Sequence, residues 1–163
     1  MTLIKRGGEA LIFLLVVAGG IIVLDQLTKL LILHFMPLYS AIEVIPGFFN
    51  LVHVRNTGGA FSVFAGASSV WRQSLFMGLT IFVVVILLFA YAKVRPEDRW
   101  TRTAYALISG GALGNLIDRV RFGEVIDFLD CFVGAYHWPA FNVADSAITA
   151  GALMLAISLI RGK

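Results

Sequence analysis

The sequence predicts a mainly α-helical integral membrane protein, with four transmembrane helices in a single domain spanning residues 1–163. Hydrophobic residues make up 59% of the chain, charged residues make up 14%, and the mean hydropathy is +0.88. Soluble domains contain about 45–50% apolar and about 25% charged residues. A chain of 163 residues has a large surface for its volume, so it could not hide this excess of apolar side chains from water. The same composition excludes intrinsic disorder.

Four segments approach the length of roughly 20 apolar residues that a helix needs to cross a bilayer. They comprise residues 9–33, 74–92, 103–117 and 140–160. The third segment is the shortest and is rich in glycine. Lys5 and Arg6 precede the first apolar run as in a signal peptide, but no A-x-A cleavage site follows the run. We therefore expect the first segment to remain as a membrane span.

Lysine and arginine are concentrated on one side of the predicted bundle. With four spans, both chain ends share a side with the loop between the second and third segments. That side holds eight of the 13 basic residues, namely Lys5, Arg6, Lys93, Arg95, Arg99, Arg102, Arg161 and Lys163. Because basic residues favour the cytoplasmic side, we expect both termini to be cytoplasmic. Residues 34–72 and 119–139 are then expected to face outward.

The first outer segment contains a predicted β-hairpin. Residues 48–55 (FFNLVHVR) and 60–64 (AFSVF) are short and rich in aromatic and β-branched side chains. Residues 56–59 (NTGG) separate them with residue types that tolerate positive φ in tight turns. The pattern predicts a small β-sheet, or β-cradle, at the outer membrane surface, on which an extended peptide could lie.

Polar residues inside the predicted spans are costly and therefore mark candidate functional positions. Asp25 and Lys29 share one helix face at i and i+4, and the simplest interpretation is an ion pair near the outer end of the first helix. Asn115, Asp118 and Arg119 share one face of the third helix. We expect Asp118 to mark the water interface. Arg119 either lies at that interface or reaches a carbonyl or carboxylate group.

Two further aspartates lie near one depth on the outer side. Asp145 follows Asn142 by three residues at the start of the fourth helix, a spacing typical of a helix cap. Asp127 is flanked by apolar residues in VIDF, and burial of this kind raises the pKa of a carboxyl group. If the two carboxyl groups approach closely, they share one proton, and the pair can activate a water against a peptide carbonyl.

Other chemistries lack their sequence patterns. There is no H-E-x-x-H metalloprotease motif and no G-x-S-x-G nucleophile motif in the chain. The only cysteine, Cys131, excludes an internal disulfide and a four-cysteine metal site, and we expect it to be a small buried hydrophobic residue. The basic residues form no stripe that would bind nucleic acid.

Two non-enzymatic functions remain as alternatives at this point. A transporter or channel would carry polar residues at several depths, whereas here they gather at the outer end of the predicted bundle. A membrane module that binds signal peptides without cleaving them could use the asparagines and Arg119 for that binding. Such a passive groove would tolerate replacement of Asp127 and Asp145 by asparagine.

Five motifs together resemble the lipoprotein signal peptidase (signal peptidase II) family of intramembrane aspartyl proteases. They are DQLTK at 25–29, RNTGGAF at 55–61, GGALGNLIDR at 110–119, VIDF at 125–128 and FNVADS at 141–146. The resemblance implies that Asp127 and Asp145 are the catalytic pair and that Asp25 and Lys29 support the site. It also implies four positions that line the substrate site, namely Asn56, Asn115, Arg119 and Asn142.

The resemblance further implies a substrate, a location and a fold. The substrate is a prolipoprotein whose cysteine already carries diacylglycerol, and cleavage falls on the amino side of that cysteine. No metal or organic cofactor is needed. We expect a multi-pass protein of the bacterial inner membrane, with four helices, an outer β-cradle and an active site near the outer face. We also expect it to be monomeric, in contact with membrane lipids and not with nucleic acid.

Overall fold

The computed structural model describes residues 2–58 and 69–161, with side chains over 8–58 and 70–161. The described chain contains helices at both ends and in the middle, and short strands between them. The elements are α1 (Thr2–Phe35), β1 (Ala41–Ile45), β2 (Phe49–Asn56), α2 (Ser69–Lys93), α3 (Arg99–Phe122), β3 (Val125–Val133), β4 (Tyr136–His137) and α4 (Val143–Ile160).

Three of the helices are long and apolar enough to cross a membrane. These stretches are Gly8–Phe35, Val70–Lys93 and Val143–Ile160, which correspond to the first, second and fourth predicted segments. Most of their apolar side chains are exposed on the outside of the protein, as expected for helices whose solvent is lipid. The protein is therefore a mainly helical membrane protein with three strongly apolar helices.

The third predicted segment forms a longer helix than expected. Helix α3 has 24 residues, because Asp98 caps its first turn by accepting the Thr101 N–H at 3.0 Å, and it ends at Gly123 with φ of 75°. This helix packs against α1, α2 and α4. Since protein rather than lipid covers most of it, it needs fewer apolar residues than its neighbours.

Small residues allow α3 to approach its neighbours closely. A Cβ atom built on Gly111 would overlap the carbonyl oxygen of Ala144 in α4. A Cβ atom on Gly110 would lie 2.8 Å from the carbonyl oxygen of Ala18 in α1. Glycine at both positions therefore brings α3 into backbone contact with α1 on one side and α4 on the other.

Arg102 lies in a helix, so the expectation that it belongs to the loop between the second and third segments is wrong. Helix α3 begins at Arg99, so Arg102 is one turn inside the helix, and its side chain is buried. Its guanidinium donates to the Tyr91 hydroxyl at 2.7 Å and lies over the rings of Phe13 and Tyr91. Buried polar groups therefore also occur at the end of the bundle away from the predicted site.

The four strands form antiparallel pairs in the order β1-β2-β3-β4. The predicted strand over residues 48–55 is present as β2, but residues 60–64 lie outside the described part of the chain. Strand β2 pairs with β1 and with β3, and β3 occupies a region that we expected only to be an outer segment. Ile126 and Phe128 of β3 pack on Ile32 of α1 and on Met36, the first residue after α1, which attaches the sheet to one end of the helix bundle.

Cys131 departs from the expectation of a buried residue. It lies in β3 and is only partly buried, as a free thiol. Successive residues of a strand face opposite sides of the sheet. Its neighbour Asp130 is buried, whereas Cys131 is partly accessible. We assign no function to this thiol.

Candidate active site

Asp127 lies on the central strand β3, directly opposite Val54 of β2. Its side chain is 2% exposed. The two carboxylate oxygens accept different hydrogen bonds: Oδ2 accepts one from Asn56 Nδ2 at 2.9 Å, and Oδ1 accepts one from Asn142 Nδ2 at 2.7 Å. Asn56 of the neighbouring strand β2 and Asn142 of the α4 cap therefore hold this carboxyl group between them.

Asp145 lies in the first turn of α4 and forms a reciprocal cap with Asn142. The Asp145 N–H donates to Asn142 Oδ1 at 2.9 Å, and the Asn142 N–H donates to Asp145 Oδ2 at 3.3 Å. The predicted helix cap is confirmed. The other carboxylate oxygen of Asp145 accepts a hydrogen bond from Asn115 Nδ2 at 2.7 Å, so the cap is also tied to α3.

Asn142 connects the two aspartates. Its side-chain amide reaches Asp127 Oδ1, while its backbone N–H reaches Asp145 Oδ2. The residue is fully buried, and its Nδ2 also lies 3.2 Å from both the Ile126 carbonyl and Asn115 Oδ1. A fully buried amide with this many partners has one orientation only, which fixes where the two carboxyl groups lie relative to each other.

The predicted ion pair between Asp25 and Lys29 is present and is part of a larger buried cluster. Lys29 Nζ lies 2.9 Å from Asp25 Oδ2, 2.8 Å from Asp118 Oδ2 and 3.0 Å from Asn115 Oδ1. All three donor directions of the ammonium are therefore used. The cluster also extends to the site, because Asp25 Oδ1 accepts the N–H of Ala144, next to Asp145, at 3.0 Å.

The expectation that Asp118 marks the water interface is wrong. Its side chain is 1% exposed. Besides pairing with Lys29, its Oδ2 accepts the Ile126 N–H at 3.2 Å, next to Asp127. Asp118 is buried because the helix continues to Phe122 and because α1 supplies a lysine to neutralise it. Asp118 therefore links α3 to α1 through Lys29 and to β3 through the Ile126 N–H.

The environment of Asp127 favours a protonated carboxyl group. Burial, with a smaller contribution from the nearby Asp145, raises its pKa to about 6 against the lowering effect of the Asn56 and Asn142 hydrogen bonds. Such a carboxyl group changes its protonation state close to neutral pH. This is the property that acid–base catalysis by a pair of aspartates requires.

Arg119 lies on α3 beside the aspartates and contributes to a small cavity. Its guanidinium lies 5.7 Å from the centre of the Phe76 ring and is near Asp145, Asp118 and Asp127. A cavity of about 290 Å³ next to it is lined by Leu79, Thr80, Val83, Ala112, Asn115, Arg119, Asp145 and Ile148. The cavity therefore combines apolar walls from α2 and α4 with a cation and a carboxylate.

The comparisons with known proteins agree with this geometry. The family model described as signal peptidase (SPase) II matches residues 17–161. The chain belongs to the signal peptidase II family. It is therefore a peptidase, and the motif-based resemblance seen in the sequence is confirmed at the level of the family.

Individual relatives match the chain over most of its length. A lipoprotein signal peptidase of Syntrophotalea carbinolica is 50% identical over 145 residues, 89% of each chain. Another lipoprotein signal peptidase, from Syntrophus aciditrophicus, is 45% identical over 94% of this chain and 95% of its own. A bacterial membrane enzyme solved by the in meso method at 1.9 Å has a TM-score of 0.82 and 34% identity, covering 92% of this chain and 94% of its own.

Gln26 is a residue of this signal peptidase II site to which the sequence interpretation assigned no role, although it lies within the first motif. Its side-chain amide donates to Asp118 Oδ1 at 2.9 Å and to the Gly114 carbonyl at 3.2 Å. It thus gives Oδ1 of Asp118 a partner, while Oδ2 contacts Lys29 and the Ile126 N–H. A signal was available, because Gln26 is a further polar residue, next to Asp25, in a largely apolar span.

The structure brings the predicted site residues together at one end of the bundle. Within residues 8–58 and 70–161, hydrogen bonds or ion pairs link seven of them, namely Asp25, Lys29, Asn56, Asn115, Asp127, Asn142 and Asp145. Arg119 borders this network without forming a described side-chain hydrogen bond. Among the described residues, no group of three or more histidine, cysteine or acidic side chains could hold a metal ion.

Proposed function

We propose that this chain is an intramembrane aspartyl endopeptidase that removes the signal peptide from prolipoproteins. The substrate carries a diacylglyceryl-modified cysteine, and the bond cleaved is on the amino side of that cysteine. The observation that carries the proposal is the bridge through Asn142, which ties Asp127 and Asp145 into one unit. The relatives named lipoprotein signal peptidase support the substrate class.

In the proposed reaction, Asp127 and Asp145 share one proton. The ionised carboxylate removes a proton from a water, whose oxygen attacks the scissile carbonyl carbon, and the protonated carboxyl group donates its proton to the carbonyl oxygen. The tetrahedral intermediate then collapses: the C–N bond breaks, the leaving nitrogen takes a proton from one carboxyl group, and a hydroxyl of the intermediate returns its proton to the other, which restores the shared proton. The products are a signal peptide with a new carboxylate and a lipidated cysteine with a free amine.

The polar residues around the pair have different proposed roles. Asn56, Asn115 and Asn142 are predicted to line the substrate site, but their amide groups are already bonded to carboxylates or to Lys29. We assign them to positioning the two aspartates. Arg119 borders the cavity beside Asp145 and is the residue that we assign to holding the peptide backbone of the substrate.

The proposed setting is the bacterial inner membrane, with the chain forming one monomeric domain of four spans. Helix α3 supports the fourth span, because 24 residues at 1.5 Å per residue exceed a hydrocarbon core of about 30 Å. Both termini are then cytoplasmic, and the aspartates lie near the outer face. We expect a green fluorescent protein fused to the C-terminus to fluoresce and alkaline phosphatase fused there to be inactive. The reverse pattern would overturn this orientation.

The test of the activity is a gel-shift cleavage assay of the purified chain in detergent with one diacylglyceryl-modified precursor. We expect wild type to cleave this precursor and not its unlipidated form, and Asp127→Asn and Asp145→Asn to be inactive. The matched control is Asp130→Asn, which removes a buried aspartate of the same strand whose partners are Asn50 and His137. It should retain activity. Near-normal cleavage by either catalytic variant would refute the aspartate pair.

Precursor binding without cleavage by wild type would have a different meaning. It would support the passive groove and refute the peptidase assignment for this chain. Thermal unfolding of each variant shows whether a loss of cleavage reflects chemistry or misfolding. This control is needed because Asp127→Asn replaces one acceptor oxygen by an NH₂ group, which then faces the amide donor of either Asn56 or Asn142.

A further inference from the structure

A second, larger cavity lies at the opposite end of the helix bundle from the aspartates. It has a volume of about 820 Å³ and is formed by the end of α2, the connecting loop and the beginning of α3. The hydroxyl of its lining residue Thr101 lies 2.8 Å from the hydroxyl of Ser158, in the last turn of α4. Asp145 is in the first turn of that helix, at its other end. This cavity therefore takes no part in the aspartate site.

Basic side chains dominate the rim of this cavity. Lys93, Arg95 and Arg99 line it and are exposed. Within the part of the chain that the structure describes, none of the three side chains forms an ion pair or hydrogen bond. Arg161 adds a fourth positive charge beside the cavity, with its guanidinium 5.9 Å from the centre of the Trp100 ring.

Two acidic residues line the same cavity but do not balance these charges. Asp98 accepts two hydrogen bonds from Thr101, one from its N–H at 3.0 Å and one from its hydroxyl at 2.7 Å. Glu97 is exposed on the loop. Among the described residues that line or border the cavity, four basic groups against two acidic groups leave an excess of positive charge, which favours an anionic ligand.

The wall of the cavity is apolar and continuous with the membrane-facing helices. Ala90 lines it from the end of α2 and Val94 from the first residue after that helix, and Trp100 and Tyr105 line it from α3. The Trp100 indole is held in place because its Nε1 donates to the Met154 carbonyl of α4 at 2.9 Å. Tryptophan and tyrosine side chains favour the depth at which lipid headgroups meet acyl chains.

We propose that this cavity binds an anionic glycerophospholipid. Arg95 and Arg99 hold the phosphate, since guanidinium groups pair with phosphate oxygens through charge-assisted hydrogen bonds. The glycerol backbone and the first carbons of the acyl chains lie along the apolar wall between α2 and α3. The apolar wall favours a lipid over a free phosphate compound, because only a lipid would use both parts of the cavity.

The test uses the full chain purified in detergent and native mass spectrometry of the lipid that remains bound. We expect phosphatidylglycerol to bind more tightly than phosphatidylcholine, and glycerol 3-phosphate not to be retained. Arg95→Gln and Arg99→Gln should each weaken phosphatidylglycerol binding about fivefold, since one basic residue near a bilayer surface contributes about 1 kcal/mol. The charge-matched control is Arg121→Gln, an exposed arginine at the other end of α3, which should leave binding unchanged.

A second variant tests the apolar half of the site. Ala90→Phe fills the cavity without changing its charge and should weaken phosphatidylglycerol binding. Equal retention of phosphatidylcholine would overturn the requirement for an anion, and retention of glycerol 3-phosphate would overturn the assignment to a lipid. An equal loss in Arg121→Gln would show that only the total charge matters and would refute a site at this cavity.

Discussion

The ammonium group of Lys29 lies 3.0 Å from the side-chain oxygen of Asn115 in the interior of the helix bundle. Because an ammonium group only donates hydrogen bonds, this contact turns the oxygen of the Asn115 amide toward α1 and its Nδ2 toward Asp145. Asn115 Nδ2 then donates to Asp145 Oδ1 at 2.7 Å. A buried lysine on α1 thus orients a carboxylate on α4 through one asparagine on α3.

Loss of the lysine should destabilise the fold. Lys29→Met leaves Asp25 and Asp118 as buried carboxylates without their cation, so we expect the free energy of unfolding to fall by about 3–5 kcal/mol. Thermal unfolding in detergent measures this change. Lys93→Met, which removes an exposed lysine at the end of α2, is the control and should unfold close to wild type. Equal unfolding temperatures for the two variants would contradict the role assigned to the cluster.

Asn142 should contribute separately to the helix cap and to the aspartate pair. Asn142→Ser keeps a residue that caps helices but is too short to reach Asp127, whereas Asn142→Ala removes both contacts. We expect both variants to lose roughly 10- to 100-fold in cleavage rate, as expected for a lost hydrogen bond to a charged group. Only Asn142→Ala should also lose the capping contribution of about 1 kcal/mol.

The measurements for this prediction are cleavage of the lipidated precursor and thermal unfolding of the same preparations. A serine variant with wild-type cleavage would show that the bridge to Asp127 is not needed. Equal unfolding temperatures for the serine and alanine variants would show that the cap does not contribute.

Asp127 should make the stability of the protein depend on pH. Its pKa is about 6 in the folded protein and 3.8 in an unfolded reference, so the folded state binds the proton more tightly. The contribution of Asp127 to the free energy of unfolding is therefore fully present below about pH 4. It falls by about 3 kcal/mol as the pH rises to 6 and does not change further above pH 6.

Asp127→Asn removes this titration. Between pH 4 and 6 the free energy of unfolding should therefore fall in wild type but not in the variant, so the variant becomes more stable relative to wild type. Thermal unfolding across that pH range tests the expectation. Asp130→Asn, on the same strand, serves as the comparison. A difference between Asp127→Asn and wild type that does not change with pH would mean that Asp127 titrates at its ordinary pKa in the folded protein.

Close packing between α3 and α4 should make Gly111 intolerant of any side chain. In Gly111→Ala the new methyl group overlaps the Ala144 carbonyl, one residue before Asp145, so we expect a loss of about 1–3 kcal/mol and lower cleavage activity. Gly78→Ala on α2 is the matched control, since no atom lies within 4 Å of the added carbon. We expect no loss of stability there. If both variants behaved alike in thermal unfolding, the close approach of the two helices would be refuted.

Several features of the molecule could be predicted because they depend on neighbouring residues alone. The i, i+4 spacing of Asp25 and Lys29 places them on one helix face in any helical structure, and the ion pair is present. The Asn142–Asp145 cap likewise depends only on the first turn of α4. The strand over residues 48–55 was predicted in the same way, from its aromatic and β-branched residue types and the turn residues that follow it.

Other features depend on which elements meet, and these could not be derived from local patterns. Asp118 is buried because Lys29 and Gln26 reach it from α1, whereas the sequence around it is equally compatible with a water interface. The strand partners of β2 come from residues 41–45 and 125–133, on both sides of it in the chain. Strand pairing is decided by long-range contacts, which no local alternation of residues specifies.

Composition alone places the protein in a membrane, because it leaves too much apolar surface for water, and the sequence motifs point to Asp127 and Asp145. How these two residues are joined depends on the packing of the elements that carry them. They come from a strand and a helix, and the buried amide of Asn142 joins them. The hydrogen bond from Asn142 Nδ2 to Asp127 joins atoms of separate elements at a distance below about 3.5 Å. Packing of α1, α3, α4 and β3 around one buried lysine brings these elements together.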